Sequence, residues 1–258
     1  MLLPIGDDDR KLTGPAFITI GLVLVNLVVF FLLQGAGTNP GFTYGWSVIP
    51  QEILSGVDLV QPQSVVVRGR EVTIPQAPGP EPIFLTVLTA MFMHGGYAHL
   101  FGNLLYLWIF GDNVEQRLGP TRFLGFYLAC GVAATVAQLG LNPDGIVPNL
   151  GASGAISGVL GAYMVFFPRN RVHALFLYYI VSVPAYVAIG LWIAFQFFNG
   201  FGSVVATAES LGGVAYGAHI GGFVAGVSLA MAARTFGEGA QKTDREIIID
   251  RHRDQGWR

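Results

Sequence analysis

The sequence predicts an all-α integral membrane protein, a bundle of six transmembrane helices with both termini in the cytoplasm. Three observations carry that expectation. Only 12% of the 258 residues are charged, against 52% hydrophobic, a balance found in polytopic membrane proteins and not in soluble domains. Several runs lack Lys, Arg, Asp and Glu altogether, with lengths suited to a hydrocarbon layer of ~30 Å at ~1.5 Å per residue. The basic residues, finally, gather on alternate connections. The net charge of -2 carries no message about nucleic acid, because the charges sit in loops and tails. The lipid bilayer is the expected surroundings, and no nucleic-acid partner is expected.

Taken in order, residues 1–15 form a short cytoplasmic N-terminal segment, with Asp7, Asp8 and Asp9 followed by Arg10 and Lys11. The first span covers about 16–33. Its acid-rich leader and the lack of a small-residue cleavage site argue against a cleaved signal peptide. Residues 34–96 make a long first loop rich in Gly and Pro. Within it, Val65, Val67, Val72 and Ile74 alternate around Arg68, Gly69 and Arg70, which predicts a small hairpin or interfacial patch. Ile83 to Met93 is apolar but too short to cross, so a re-entrant or interfacial piece is expected, ended by His94-Gly95-Gly96.

The second span, about 97–116, carries His99 and Asn103 in its first two turns, four apart and so on one helix face. Gly111, Asp112, Glu115 and Arg117 mark its far end. Gly119-Pro120 turns the chain into a third span, about 123–141, which contains Cys130 as a buried small hydrophobe. A loop with two prolines leads to the fourth span, about 151–167. This one falls a little short of the hydrocarbon core, so its first turn is expected below the membrane surface. Pro168-Arg169-Asn170-Arg171 is a basic turn. The fifth span, about 174–198, has Pro184 as an expected kink. A Gly and Ser connector, Asn199 to Leu211, precedes the sixth span, about 212–233. Residues 234–258 are a charged cytoplasmic tail.

With six spans, every Lys and Arg except Arg68 and Arg70 shares one side with both termini, and the positive-inside rule makes that side the cytoplasm. The starts of spans two, four and six then all face outward. They carry His99, Ser153 and His219. A polar side chain inside a span is costly enough to be a functional hypothesis by default, and here four such residues, His99, Asn103, Ser153 and His219, come from three helices and fall within about two turns of the same surface.

Small residues allow the helices to meet there. Gly151, Gly154, Ser157, Gly158 and Gly161 stripe the fourth helix, while Ala218, Gly222 and Gly226 stripe the sixth, with Gly222 to Gly226 forming a GxxxG. A serine hydroxyl is a poor nucleophile until a base removes its proton, and His219 is the available base. The expectation is a Ser153-His219 dyad, with no intramembrane carboxylate to complete a triad. His99, Asn103 and the backbone N–H of Ser153 are the expected oxyanion donors, worth ~3 kcal/mol each in a low-dielectric site. His94, Gly151 and Gly154 are supporting candidates. Three rival readings use the same residues: a metal site from His94, His99 and His219, a transporter or channel with polar helix ends, and a non-catalytic binder of membrane helices. The lack of an accompanying carboxylate or cysteine, and the five-residue spacing of His94 and His99, disfavour the metal, so no metal is expected. His173 and His252 read as solvated loop and tail residues.

His94-x4-His99-x3-Asn103, Gly151-Ala152-Ser153-Gly154 and Ala218-His219-x2-Gly222-x3-Gly226 closely resemble the rhomboid family of intramembrane serine proteases. Glu115-Gln116-Arg117 looks like that family's Glu-x-Arg. The resemblance covers Ile83 to about Ala233. It implies a six-helix rhomboid-like bundle, cofactor-free cleavage of single-span or polytopic membrane proteins near the bilayer surface, a Ser153-His219 dyad, and an oxyanion site at His99 and Asn103. Two departures stand out. Leu85-Thr86 occupies the place of a Trp-Arg pair seen in some members, and Ser157 replaces a tyrosine that packs on the catalytic histidine in others. The compact form, without a transit-like leader, suggests a bacterial plasma (inner) membrane.

Overall fold

The structure, a computed structural model, describes residues 3–8, 14–67, 70–205 and 216–255. The Arg68-Gly69 turn, Asp9 to Lys11, and the expected start of the sixth span at Gly212 lie outside the described residues.

The chain is mostly helical. A strand, β1 (Leu3–Asp7), precedes helix α1 (Phe17–Leu33), whose last turn is π-helical. Two short helices follow, α2 (Pro40–Gly45) and α3 (Pro50–Ser55), each with proline in its first turn, where the missing N–H costs nothing. The alternating valines pair as a hairpin of β2 (Gln63–Val67) and β3 (Arg70–Ile74), with Val65 opposite Val72. Next comes a short irregular helix, α4 (Ile83–Phe92), set at 75° to α5 (Tyr97–Leu118). Then come α6 (Pro120–Leu141), α7 (Ser153–Phe166), a hairpin of β4 (Arg171–Phe176) and β5 (Tyr179–Pro184), α8 (Ala185–Val205) and α9 (Tyr216–Gln255).

Helix α7 is the centre of the packing. Every residue from Gly154 to Tyr163 is buried, and a helix that is apolar all round belongs inside a bundle. At 14 residues it spans only ~21 Å. Around it, Phe110, Tyr127, Cys130, Val159, Leu160 and Tyr163 share one core. The outer helices turn large apolar side chains outward, among them Phe17, Leu32, Val136 and Leu191, as a lipid-facing surface requires. Among the described residues, α6 and Tyr216–Thr235 of α9 are long and apolar enough to cross a membrane, and the bent α4–α5 pair makes a third; Phe17–Leu33, α7 and Ala185–Phe198 are apolar but shorter.

The region around residue 174 departs from expectation. The helix anticipated over Ala174 to Phe198 begins only at Ala185, and Arg171 to Pro184 forms the antiparallel hairpin β4–β5 instead. Pro184 therefore ends a strand beside the helix start and kinks nothing. Helix α8 also runs on to Val205, into the stretch expected as a connector. The N-terminal segment is likewise more structured than its polarity suggested: β1 pairs with β4, giving a sheet of order β1-β4-β5. Asp7 anchors that strand by accepting from Asn113 Nδ2 at 3.0 Å and from the Tyr163 hydroxyl.

Glu115 does the same for α1. Its carboxylate accepts from the N–H groups of Ile18 (2.9 Å) and Thr19 (2.7 Å) and from Thr19 Oγ1 (2.8 Å), taking up orphan donors at a helix N-terminus. Opposite this end, the first loop is tied to the loop before α7. Val48 and Asn149 exchange backbone bonds of 2.9 and 2.7 Å, Gln51 N–H donates to Gly145 O, and Gln76 Nε2 donates to Ile146 O. These ties fix the approach to the first turn of α7.

Candidate active site

Helices α7 and α9 touch backbone to backbone. A Cβ placed on Gly222 would overlap the carbonyl oxygen of Gly154, and one on Gly226 would overlap that of Gly158. Only glycine permits this approach. It brings the first residue of α7 against the first turn of α9, where Ser153 Oγ lies 2.7 Å from His219 Nε2. The serine is half-buried and the histidine buried, so the bond sits at the inner edge of an opening.

Helix α5 supplies the facing wall. Gly95 N–H donates to His99 Nδ1 at 3.3 Å, which leaves the ring proton on Nε2. Gly151 holds a φ of +134°, a left-handed value, and a Cβ there would lie 2.9 Å from both Cε1 and Nε2 of His99 and 3.5 Å from Ser153 Oγ. The donor edge of His99 and the serine hydroxyl thus border one small space. The Gly151 N–H is already spent on Ala90 O at 2.8 Å. Asn103, one turn further along α5, is buried with its Nδ2 donating to no acceptor among the described residues. The N–H of Ser153, in the first turn of α7, has no intrahelical acceptor either. The His99 ring N–H and the Ser153 N–H are therefore unspent beside the hydroxyl, and Asn103 holds a further unspent donor one turn along the same helix as His99.

His94 occupies a different position. Gln34 pins its backbone, accepting from His94 N–H and donating to His94 O, both at 2.9 Å. Its imidazole is buried against His99, edge to face at 5.1 Å, with neither ring nitrogen bonded among the described residues. His219 is bonded to Ser153 Oγ through Nε2, and among the described residues no three His, Cys, Asp or Glu side chains are grouped so as to hold a metal ion.

A cleft of about 50 Å³ opens beside Ser153, lined by Val48, Met91, Gln138, Leu150, Gly151 and Ala218 among others. Gln138 Oε1 also accepts from Ala218 N–H at 3.2 Å, steadying the residue before His219.

A Rhomboid domain family model matches residues 82–236, more than half of the chain and a range that contains His94, His99, Asn103, Ser153 and His219. The chain belongs to the rhomboid family. It is 37% identical to Rhomboid protease GluP of Bacillus subtilis over 154 residues, 59% of this chain and 27% of that protein. It is 34% identical to Rhomboid protein 1, mitochondrial, of Saccharomyces cerevisiae over 147 residues, 55% of this chain and 40% of that one. With the human Presenilin-associated rhomboid-like protein, mitochondrial, it shares 36% over 93 residues, 35% of this chain and 24% of the other. The matches thus span well under half of these relatives' length. Family and apolar helices together make this rhomboid an integral membrane protein.

Sequence reasoning left open what holds the His219 ring, since Ser157 replaces the aromatic residue found four positions after the serine in some rhomboids. Here Ser157 Oγ donates back to Ser153 O at 2.6 Å and does not reach the ring. Aromatic cover comes from Trp192 on α8 (centroids 5.9 Å apart, planes at 35°) and from Tyr216 (6.5 Å). Gln196, also on α8, lies with Oε1 2.9 Å from His219 Nδ1. The signal for Gln196 was present in the sequence: a polar side chain in an apolar run, Ala194-Phe195-Gln196-Phe197-Phe198, by the same rule that selected His99 and Asn103.

Proposed function

We propose that this rhomboid is an intramembrane serine endopeptidase that hydrolyses peptide bonds in or beside transmembrane segments of other membrane proteins. The observation that carries the reading is the 2.7 Å contact between Ser153 Oγ and His219 Nε2. That contact is the geometry of a nucleophile with its general base.

In the proposed reaction Ser153 attacks a substrate carbonyl carbon while its proton passes to His219 Nε2. The oxyanion of the tetrahedral intermediate accepts hydrogen bonds from His99 Nε2–H, Asn103 Nδ2–H and the Ser153 N–H. Collapse of the intermediate breaks the C–N bond, and the imidazolium protonates the leaving amine. Water then enters from the outer side and its oxygen attacks the acyl carbon while its proton passes to His219; collapse breaks the bond to Ser153 Oγ, the imidazolium returns the proton to Oγ, and the carboxylic product leaves. A stable helix shields its peptide bonds, so substrates with helix-weakening or small residues near the scissile bond are favoured.

The accompanying architecture is a six-helix bundle with both termini cytoplasmic, built from α1, α5, α6, α7, α8 and α9, and the proposed location is a bacterial plasma membrane. The substrates are single-span or polytopic membrane proteins. The test is cleavage of a single-span reporter by purified protein in detergent. Wild type is expected to cut, with Ser153→Ala and His219→Ala inactive yet folded. Equal cleavage by wild type and Ser153→Ala would overturn the assignment in favour of a helix binder contaminated by another protease.

A further inference from the structure

We propose that Gln196 on α8 is a positioning residue that fixes the tautomer and ring plane of His219, completing a neutral Ser-His-Gln relay. The inference rests on the serine endopeptidase reading.

The argument starts from what an amide oxygen can do. Gln196 Oε1 has lone pairs and no proton, so at 2.9 Å from His219 Nδ1 it requires the ring proton to sit on Nδ1. The Nε2 lone pair then faces Ser153 Oγ at 2.7 Å, the arrangement a general base needs. The opposite tautomer would turn an N–H toward the hydroxyl and leave no base. Without an acceptor on Nδ1, nothing at this buried ring selects between the two.

Both partners are well enclosed, with Gln196 5% and His219 7% exposed, so water does not substitute readily for either. Trp192, one turn before Gln196 on the same face of α8, lies over the ring. Together they constrain rotation about both side-chain torsions of His219. The other titratable groups facing the ring are Ser153 on α7, Tyr216 on α9 and His99 on α5.

When Ser153 attacks, its proton moves to Nε2 and the ring becomes imidazolium. The Nδ1 proton stays on Nδ1, and its bond to Gln196 becomes charge-assisted and therefore stronger. The gain appears with the transition state and not before, so it raises kcat more than it lowers KM. A glutamine does this without a permanent charge inside the membrane, where a carboxylate would be expensive. It also accounts for a histidine working with neither an intramembrane acid nor the tyrosine that Ser157 replaces.

The test compares wild type, Gln196→Leu, Gln196→Glu, Ser153→Ala and His219→Ala in reporter cleavage across pH. Gln196→Leu removes the acceptor at similar volume, and kcat is expected to fall about 10²-fold with KM unchanged. Gln196→Glu keeps an acceptor and has no N–H to offer, so it should restore activity to within about tenfold of wild type, with the acid limb of kcat/KM moved to higher pH because a carboxylate favours imidazolium. A merely structural glutamine would produce neither the rescue nor the moved limb. Wild-type kcat and an unchanged profile in Gln196→Leu would overturn the proposal, while inactive Ser153→Ala and His219→Ala would leave the dyad standing. Full activity in Ser153→Ala would remove the dyad and the relay together. Should Gln196→Leu fail to fold, nitrogen NMR of ¹⁵N-histidine wild type decides: a protonated Nδ1 on His219 supports the role, and a neutral ring protonated on Nε2 refutes it.

Discussion

Gly161→Ala tests whether backbone contact between α7 and α9 sets the catalytic distance. Gly161 lies two turns below Ser153 and touches neither site residue. A methyl there would sit 2.6 Å from the carbonyl oxygen of Phe223 and 2.9 Å from Val227 N, both backbone atoms of α9, against about 3.4 Å for ordinary contact. The helices must part by roughly 0.8 Å (3.4 − 2.6 Å), since densely packed helices shift as units. His219 is one turn from Phe223, so the shift carries the ring with it. The 2.7 Å bond would stretch to about 3.5 Å, past the ~3.2 Å limit of a good hydrogen bond. A displacement of ~1 Å at a reacting group costs up to about 10²-fold in rate, or ~2.7 kcal/mol of barrier. Reporter cleavage by the purified variant reads this directly, with Gly190→Ala on α8 as the control because a Cβ there meets nothing within 4 Å. Wild-type kcat in a folded Gly161→Ala would refute the link between helix contact and catalysis.

Further outcomes follow from the same structure. Asn103→Ala should lower kcat by about 10²-fold with little change in KM, as removal of a transition-state donor does; an equal rise in KM instead would assign Asn103 to ground-state binding. Glu115→Ala strips acceptors from one buried and one part-buried backbone donor and from a buried hydroxyl, at about 1–3 kcal/mol for each orphaned buried group, so the thermal midpoint in detergent should fall by several degrees. Glu52, buried on α3, has its pKa pushed up from 4.5 to about 7, by burial first and then by the neighbouring Asp58, against a bond from Leu59 N–H. The folded loop then binds more protons than the unfolded one between these values, so stability is full below pH 4.5 and is lost as pH rises to 7. Glu52→Gln should flatten that part of the stability profile, and an unchanged slope would show that Glu52 is not its source.

Local signals served some elements better than others. The serine, the two site histidines and Asn103 could be read from the sequence because an ionisable or polar side chain in an apolar run has few bland explanations. The glycine stripes of α7 and α9 were equally legible, since close backbone approach leaves no alternative to small residues. Residues 174–184 suggest the start of a helix because an apolar run of that length suits a strand or a helix alike. What decides it is pairing with β1 more than 160 residues away in the chain, as in Val172 opposite Asp7, a non-local contact that no window detects. Pro184 accordingly closes a strand and not a helical kink. Gln196 was missed although its signal was present: it lay in the span whose start was misplaced, so its level relative to His219 was not apparent. Trp192 gave no signal, since a tryptophan in a span is usually packing or interface.

The central claim is that Ser153 is a nucleophile activated by His219, and a fluorophosphonate probe tests it without knowledge of any substrate. Intact protein in detergent is treated with the probe and the adduct is located by mass spectrometry in wild type and in His219→Ala. The account predicts a single adduct on Ser153 in wild type and none in the variant. Absence of an adduct on Ser153 from folded wild type, or equal labelling in His219→Ala, would contradict it.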